Sequence, residues 1–97
     1  MTIPWEALTR AAQEVQSRAY APYSAYNVGS ALYAEGQIFA GCNVENASFG
    51  VTVCAERHAV AAMVAAGARR IDAVVVTTSA GPPAAPCGVC RQALNEF

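Results

Sequence analysis

Residues 54–78 read CAERHAVAAMVAAGARRIDAVVVTT, and this stretch decides the fold. From Cys54 to Ala66 the composition is strongly helical, and Gly67 is a natural C-terminal stop. Ala73–Thr78 is a β-branched run, the best strand signal in the chain. Its consecutive Val74, Val75 and Val76 predict burial on both faces. Upstream, Val28 to Tyr33 and Gln37 to Val44 are two β-like runs, and Glu35-Gly36 between them reads as a hairpin turn. Gly29 and Gly41 lie inside those runs, where glycine marks a bulge or a close backbone approach.

Before the hairpin, Trp5, Leu8, Ala12, Val15 and Ala19 recur at steps of three and four. They predict an amphipathic helix across Pro4–Tyr20, with Thr2 as N-cap and Pro4 in the first turn. Ala21-Pro22-Tyr23-Ser24 is a turn, 43–53 a polar loop, and Ser79–Pro86 an ordered loop with three prolines. Cys87 to Phe97 starts another helix. The order α-β-β-α-β-α contains one strand–helix–strand crossover. It predicts an α/β fold, a three-layer α/β/α sandwich with a mixed sheet, as one domain over residues 1–97.

Composition narrows the class. The chain is 55% hydrophobic and 13% charged, which excludes a disordered chain. Yet 22 of the 97 residues are alanine, so each core position buries little area. A domain this small needs a metal, disulfides or oligomerisation. Six arginines, no lysine and a net charge of −1 leave no basic run, so no nucleic-acid partner is expected. No stretch approaches 18 uninterrupted apolar residues, so no membrane span is expected. The first ten residues lack the pattern of a secretory signal, which favours a cytoplasmic protein. In that setting four cysteines read as a metal or catalytic site rather than a disulfide scaffold.

The chemistry sits in Cys54-Ala55-Glu56-Arg57 and Pro86-Cys87-Gly88-Val89-Cys90, each at a predicted helix start. The two-residue gap between Cys87 and Cys90 lets both sulfurs reach one ion. Helix N-termini favour thiolates. Three thiolates suit Zn²⁺ with a fourth position kept for water, the arrangement of catalytic rather than structural zinc. Three thiolates and Zn²⁺ sum to −1, and Arg57 and Arg91 are placed to compensate. The blander reading of Arg57 is a solvated arginine. Glu56 sits beside the metal without binding it, where a carboxyl can move protons. Taken alone, it reads as a dipole-complementing carboxylate at a helix start. Cys-x-Glu followed by Pro-Cys-x-x-Cys, with 29 residues between, is the pattern of zinc deaminases.

The chain also resembles the small, homotetrameric, three-cysteine cytidine deaminases in Ala21-Pro22-Tyr23-Ser24, Val28-Gly29, the run Gly41-Cys42-Asn43-Val44-Glu45-Asn46-Ala47-Ser48, and both cysteine motifs through Arg91-Gln92. The resemblance implies a zinc hydrolase converting cytidine and deoxycytidine to uridine and deoxyuridine with release of ammonia, in pyrimidine salvage. It implies one zinc on Cys54, Cys87 and Cys90, with Glu56 as proton shuttle. It implies a nucleoside pocket with Asn43 and Glu45 on the ribose hydroxyls, Tyr26 near the pyrimidine, and Ala55. The bland reading of Asn43 and Glu45 is loop capping. Family members usually carry Phe where Tyr26 stands, so the hydroxyl is a departure. Members continue for two further strands and a C-terminal segment. Residues 1–97 are therefore expected to lack the C-terminal part, which leaves Ala73–Thr78 without the neighbour on its edge.

Cys42 reads as a small buried hydrophobe. His58 is expected at a helix–helix contact between subunits, with a closed Cys₃His site as the alternative. Three other functions stand beside the leading one. They are an aminonucleoside-antibiotic deaminase, a polynucleotide-editing deaminase disfavoured by the missing basic patch, and an inactive zinc-stabilised interaction module.

Overall fold

A computed structural model describes residues 2–79 and 87–97. The order is α1 (Trp5–Gln16), β1 (Val28–Ala34), β2 (Gln37–Cys42), a 3₁₀ turn (Phe49–Val51), α2 (Ala55–Ala65), β3 (Ala73–Thr78) and α3 (Gly88–Asn95). The Ser79–Pro86 loop beyond Ser79, including the proline of the Pro-Cys-x-x-Cys motif, lies outside the described residues.

Glu35 and Gly36 both adopt positive φ, 51° and 81°. That is the backbone of a tight two-residue hairpin, whose twist matches its strands. It pairs β1 with β2 antiparallel, Ala34 opposite Gln37. On its other side β1 pairs antiparallel with β3, Ala31 opposite Val75. The strand order is therefore β2-β1-β3. This corrects the mixed sheet: both described ladders are antiparallel. β2 and β3, joined through α2, do run the same way, but β1 lies between them.

Alternation along β1 sorts the two faces. Ala31 packs with Leu8 and Ala12 of α1 and Ala73 of β3, and Tyr33 and Val75 flank them. Leu32 and Ala34 pack with Ala59, Val60 and Met63 of α2, and Leu94 and Phe97 close the far side. Helix, sheet and helix form the three layers. The three-valine run does meet both layers, Val74 on the α2 side and Val75 on the α1 side. All three valines are only half-buried, which corrects full burial: β3 is the outer strand of the described sheet.

α1 is shorter than its apolar periodicity. Pro4 occupies the N-cap position and no side chain caps it, in place of the expected Thr2. The helix stops at Gln16 because tertiary pairing captures the following chain. Tyr20 donates to the Asn43 carbonyl at 3.0 Å and accepts from Glu45 N at 2.8 Å. Ala19 thus leaves the stripe, and Trp5 stays 55% exposed. β2 ends at Cys42, two residues early, and Val44 bridges Val53 and Tyr20 instead. At the other end of α2, Gly67 at φ 98° closes the helix, donating to the Val64 carbonyl at 3.0 Å.

Both strand glycines mark close approaches. A Cβ at Gly29 would overlap the Ala12 carbonyl of α1. At Gly41 it would stand 2.5 Å from Ala59 N and 2.7 Å from the Ala55 carbonyl oxygen of α2. These obstacles are backbone and cannot rotate away. Gly41→Ala is expected to cost about 1–3 kcal/mol, a fall of roughly 4–24 °C in Tm for a domain of this size. Gly50→Ala, which meets open space, is the control in the same melting experiment. Equal melting of the two variants would contradict the close approach.

Candidate metal centre and substrate pocket

Because Gly41 lets α2 lie against the sheet, the helix start is held at a defined height. Cys54 is the N-cap residue of α2 and Cys87 that of α3. Cys90, in the first turn of α3, is fully buried. The Cys87 sulfur accepts the Cys90 backbone N–H at 3.4 Å, and the sulfurs of Cys54 and Cys87 are 3.9 Å apart. All three sulfurs lie within 4.8 Å of one another. Tetrahedral zinc with Zn–S bonds of about 2.3 Å sets its sulfurs about 3.8 Å apart, so this cluster fits one zinc ion. A disulfide needs about 2.05 Å, and all four cysteines are free thiols.

The two helix starts treat their thiols differently. The Cys90 N–H, with the neighbouring thiols of Cys90 and Cys54, holds the Cys87 thiol below the usual range. Burial pushes Cys90 up to about 12, reinforced by the adjoining sulfurs and by the charge of Glu56. Cys87 is therefore the thiol primed for ionisation, and Cys90 needs a cation to give up its proton.

Arg57 Nη2 donates to the Thr52 carbonyl at 3.3 Å and approaches the Cys54 sulfur at 3.8 Å. Contact with the Cys54 side chain, ahead of that with Cys90, raises the Arg57 pKa above the ordinary range. Its Nε is buried with no partner among the described residues. Arg91 does not share this place. Its side chain is exposed, and its recorded bond is from backbone N to the Cys87 carbonyl at 2.8 Å. Residue 91 follows Cys90 on α3 about 100° further round the helix, and Arg57 is the arginine recorded in contact with a sulfur.

A cavity of about 240 Å³ opens beside the sulfurs. Tyr26, Val28, Asn43, Glu45, Thr52, Cys54, Ala55, Glu56, Val76, Thr78 and Cys87 line it. The structure thus brings all the sequence-selected residues to one place except Arg57 and Cys90, which back the wall, and Arg91. Glu56, on the first turn of α2, is 5% exposed yet faces the cavity.

Asn43 and Glu45 are already engaged. Asn43 is 8% exposed; its Oδ1 accepts Val28 N–H at 2.8 Å and its Nδ2 donates to the Tyr26 carbonyl at 2.9 Å. Glu45 Oε1 accepts the N–H groups of Tyr23 at 3.0 Å and Ser24 at 3.1 Å, and Oε2 accepts the Ser24 hydroxyl. The Ser24 hydroxyl, ahead of those N–H groups, holds the Glu45 carboxyl below the usual carboxylate range. The loop-capping reading of both residues is therefore real, and it coexists with their place on the cavity wall.

His58 Nδ1 lies 2.8 Å from the Cys42 carbonyl oxygen and ties α2 to β2. It stands outside the sulfur cluster, which removes the closed Cys₃His alternative among the described residues. Cys42 is half-buried and serves through its carbonyl. Sequence reading passed over Ser24 as a site residue, along with Thr52, Val28, Val76 and Thr78. Ser24 had a local signal, as part of the Ala21-Pro22-Tyr23-Ser24 turn; the others become neighbours only through strand order.

A family model for the cytidine and deoxycytidylate deaminase zinc-binding region matches residues 4–97. The chain belongs to that family. A cytidine deaminase of Mycoplasma genitalium is 44% identical over 98 residues, covering 100% of this chain and 75% of that protein. A crystal structure of cytidine deaminase from Burkholderia pseudomallei superposes with a TM-score of 0.90 at 46% identity, covering 97% of this chain and 76% of that one. Cytidine deaminase from Mycobacterium tuberculosis superposes with a TM-score of 0.91 at 40% identity, covering 98% of this chain and 78% of that one. The chain thus spans about three quarters of the length of these relatives. Family membership makes it a hydrolytic enzyme, and the family's zinc-binding region coincides with the Cys54, Cys87 and Cys90 cluster, one ion per chain.

Proposed function

We propose that this chain hydrolyses cytidine and 2′-deoxycytidine to uridine and deoxyuridine, releasing ammonia, as a step of pyrimidine salvage. One observation carries the reading: a buried carboxyl, Glu56, lines a cavity together with Cys54 and Cys87 of a three-cysteine cluster that fits zinc. When bound, zinc supplies a Lewis acid that lowers the pKa of a water toward about 7. Glu56 takes the proton of the attacking water and passes it to N3 of the pyrimidine. The C4–O bond forms in that step; Glu56 then takes the remaining proton from the new C4 hydroxyl and delivers it to the departing 4-amino group, so that the C4 carbonyl forms, the C4–N bond breaks and ammonia leaves. Arg57 offsets the negative charge of the sulfurs. Tyr26 offers a ring face to the base. Ala55, the first residue of α2, brings a helix-end N–H without an intrahelical partner to the same wall.

Counting hydrogen-bond capacity defines the sugar subsite. A carboxylate has about four acceptor positions, and three on Glu45 are filled by the protein. Asn43 keeps one N–H and one lone pair after its two backbone bonds. One acceptor on Glu45 and one donor on Asn43 match a single sugar hydroxyl. Since cytidine and 2′-deoxycytidine share the 3′-hydroxyl, that is the group we assign to the pair.

The reading is tested by zinc stoichiometry together with ammonia release from three nucleosides. Cytidine and 2′-deoxycytidine are expected within several-fold of each other. 2′,3′-Dideoxycytidine is expected to lose about 10–150-fold in kcat/KM, one hydrogen bond to a charged group. One zinc with no ammonia release would instead identify an inactive zinc-stabilised module.

A homotetramer in the cytoplasm completes the proposal. It is supported by the family resemblance, by four free thiols, which suit a reducing compartment, and by exposed apolar side chains near the pocket. Among these, Phe49 is 91% exposed, with Tyr23, Val44 and Val51 also exposed.

A further inference from the structure

Tyr23 and Ser24, in the turn before β1, are held to the body of the protein by one side chain, while Tyr26 beyond them is bonded through its carbonyl to Asn43 Nδ2. Ala25 N donates to the Ala21 carbonyl at 2.9 Å, and Ala25 itself adopts φ 58°, a region that side-chain-bearing residues avoid. Nothing apolar anchors this turn: Tyr23, Ser24 and Ala25 are all exposed. Its hold on the body of the protein comes through the Glu45 carboxylate, which gathers two N–H groups and the Ser24 hydroxyl. The Ser24 oxygen in turn accepts the Tyr26 N–H at 3.0 Å. Tyr26 and Glu45 are both on the cavity wall.

We infer that Ser24 is a positioning residue for nucleoside binding: one hydroxyl orients the Glu45 carboxylate and, through its second bond, sets the backbone of Tyr26. The inference rests on the cytidine reading above and names a residue that reading does not use. A hydroxyl that donates to the carboxylate leaves a single Oε2 acceptor position for the sugar and fixes where it points. Without the hydroxyl, Oε1 stays held by the two N–H groups but Oε2 loses its partner, and that oxygen must be ordered again each time a nucleoside binds. The effect therefore belongs in KM rather than in the chemical step.

The titratable groups facing Glu45 across the two cavities it lines are Tyr26, Cys54, Glu56 and Cys87 on one side and Tyr23 on the other. None is a cation, so among the described residues hydrogen-bond donors alone favour the ionised form. Of these the Ser24 hydroxyl is the largest influence. Removing it raises the Glu45 pKa toward the ordinary range.

The experiment compares Ser24→Ala and Ser24→Thr with the zinc-loaded wild-type protein, by steady-state ammonia release and by a carbon-13 NMR titration of the Glu45 carboxyl. Ser24→Ala is expected to raise KM for cytidine about tenfold or more, the scale of one hydrogen bond to a charged group. Its kcat stays within about threefold, with zinc content unchanged and Glu45 titrating at higher pH. Ser24→Thr keeps the hydroxyl at an exposed position and restores both values. An unchanged KM in Ser24→Ala overturns the inference. Equal losses in Ser24→Ala and Ser24→Thr, accompanied by lower melting temperatures, also overturn it, because they show a packing role only. If the wild-type protein releases no ammonia, the deaminase reading fails by itself. Ser24 is then judged on the Glu45 titration alone: an upward shift in Ser24→Ala supports it and no shift overturns it.

Discussion

Glu56→Gln is expected to keep one zinc per chain while kcat/KM on cytidine falls about 10²–10⁴-fold, the range for losing a positioned general acid–base. The substituted amide has the size of the carboxyl, so the buried position at the start of α2 suffers no cavity. It cannot accept either of the two protons that the reaction must move. The effect on the metal runs the other way. The negative charge of Glu56 is one of the influences that raise the Cys90 pKa. Neutralising it makes the Cys90 thiolate easier to form, so zinc retention is expected to match or exceed the wild type. Zinc analysis beside a single-turnover assay separates the two effects. Full turnover in this variant would remove Glu56 from the mechanism.

Stripping the zinc, or replacing Cys87 by Ala, is expected to destabilise the fold as a whole. α3 meets α2 at its start through the cysteine cluster and at its end through Leu94 and Phe97. A core rich in alanine has little surplus to hold α3 when the first of these attachments is lost. An ion present at about 1,000 times its Kd adds about 4 kcal/mol to stability. At about 4–8 °C per kcal/mol, its removal is expected to lower Tm by roughly 15–30 °C. The binding is also expected to depend on pH in a defined direction. Without metal Cys90 stays protonated far above neutrality, at about 12, whereas Cys87 is shifted down. Zinc binding must displace at least the Cys90 proton, so apparent affinity rises with pH. It weakens about tenfold for each unit that pH falls, for each thiol that has to ionise. Competition with a chelator between about pH 6 and 8 reads this slope. A flat profile, or a chelated protein that melts with the zinc form, contradicts the three-thiolate assignment.

Much of this protein is legible residue by residue. Glu35-Gly36 announces its hairpin because two consecutive positive-φ residues make a tight turn whatever surrounds them. Cys54, Glu56, Cys87 and Cys90 announce their chemistry because helix starts and short spacings are local. The three valines of β3 announce a strand with apolar contacts on both sides. These features depend on neighbours within a few positions, and the sequence by itself determines them.

Strand order lies beyond such signals. The β2-β1-β3 arrangement sets β1 between strands that a crossover reading places in a mixed sheet. It also stops α1 at Gln16, because Tyr20 finds Asn43 and Glu45, 23 and 25 positions away. The same long-range pairing turns Ser24 from a turn residue into a partner of Glu45. It likewise spends His58 on the Cys42 carbonyl rather than on the metal. Arg57 and Arg91 look equivalent in sequence, each one residue beyond a motif element. One packs against sulfur and the other faces solvent. Sequence alone therefore determined which chemical groups the site contains. Tertiary structure decided which of them meet, because hydrogen bonds and sulfur contacts act over about 3–4 Å, and only the folded sheet brings residues 16 to 33 positions apart within that reach.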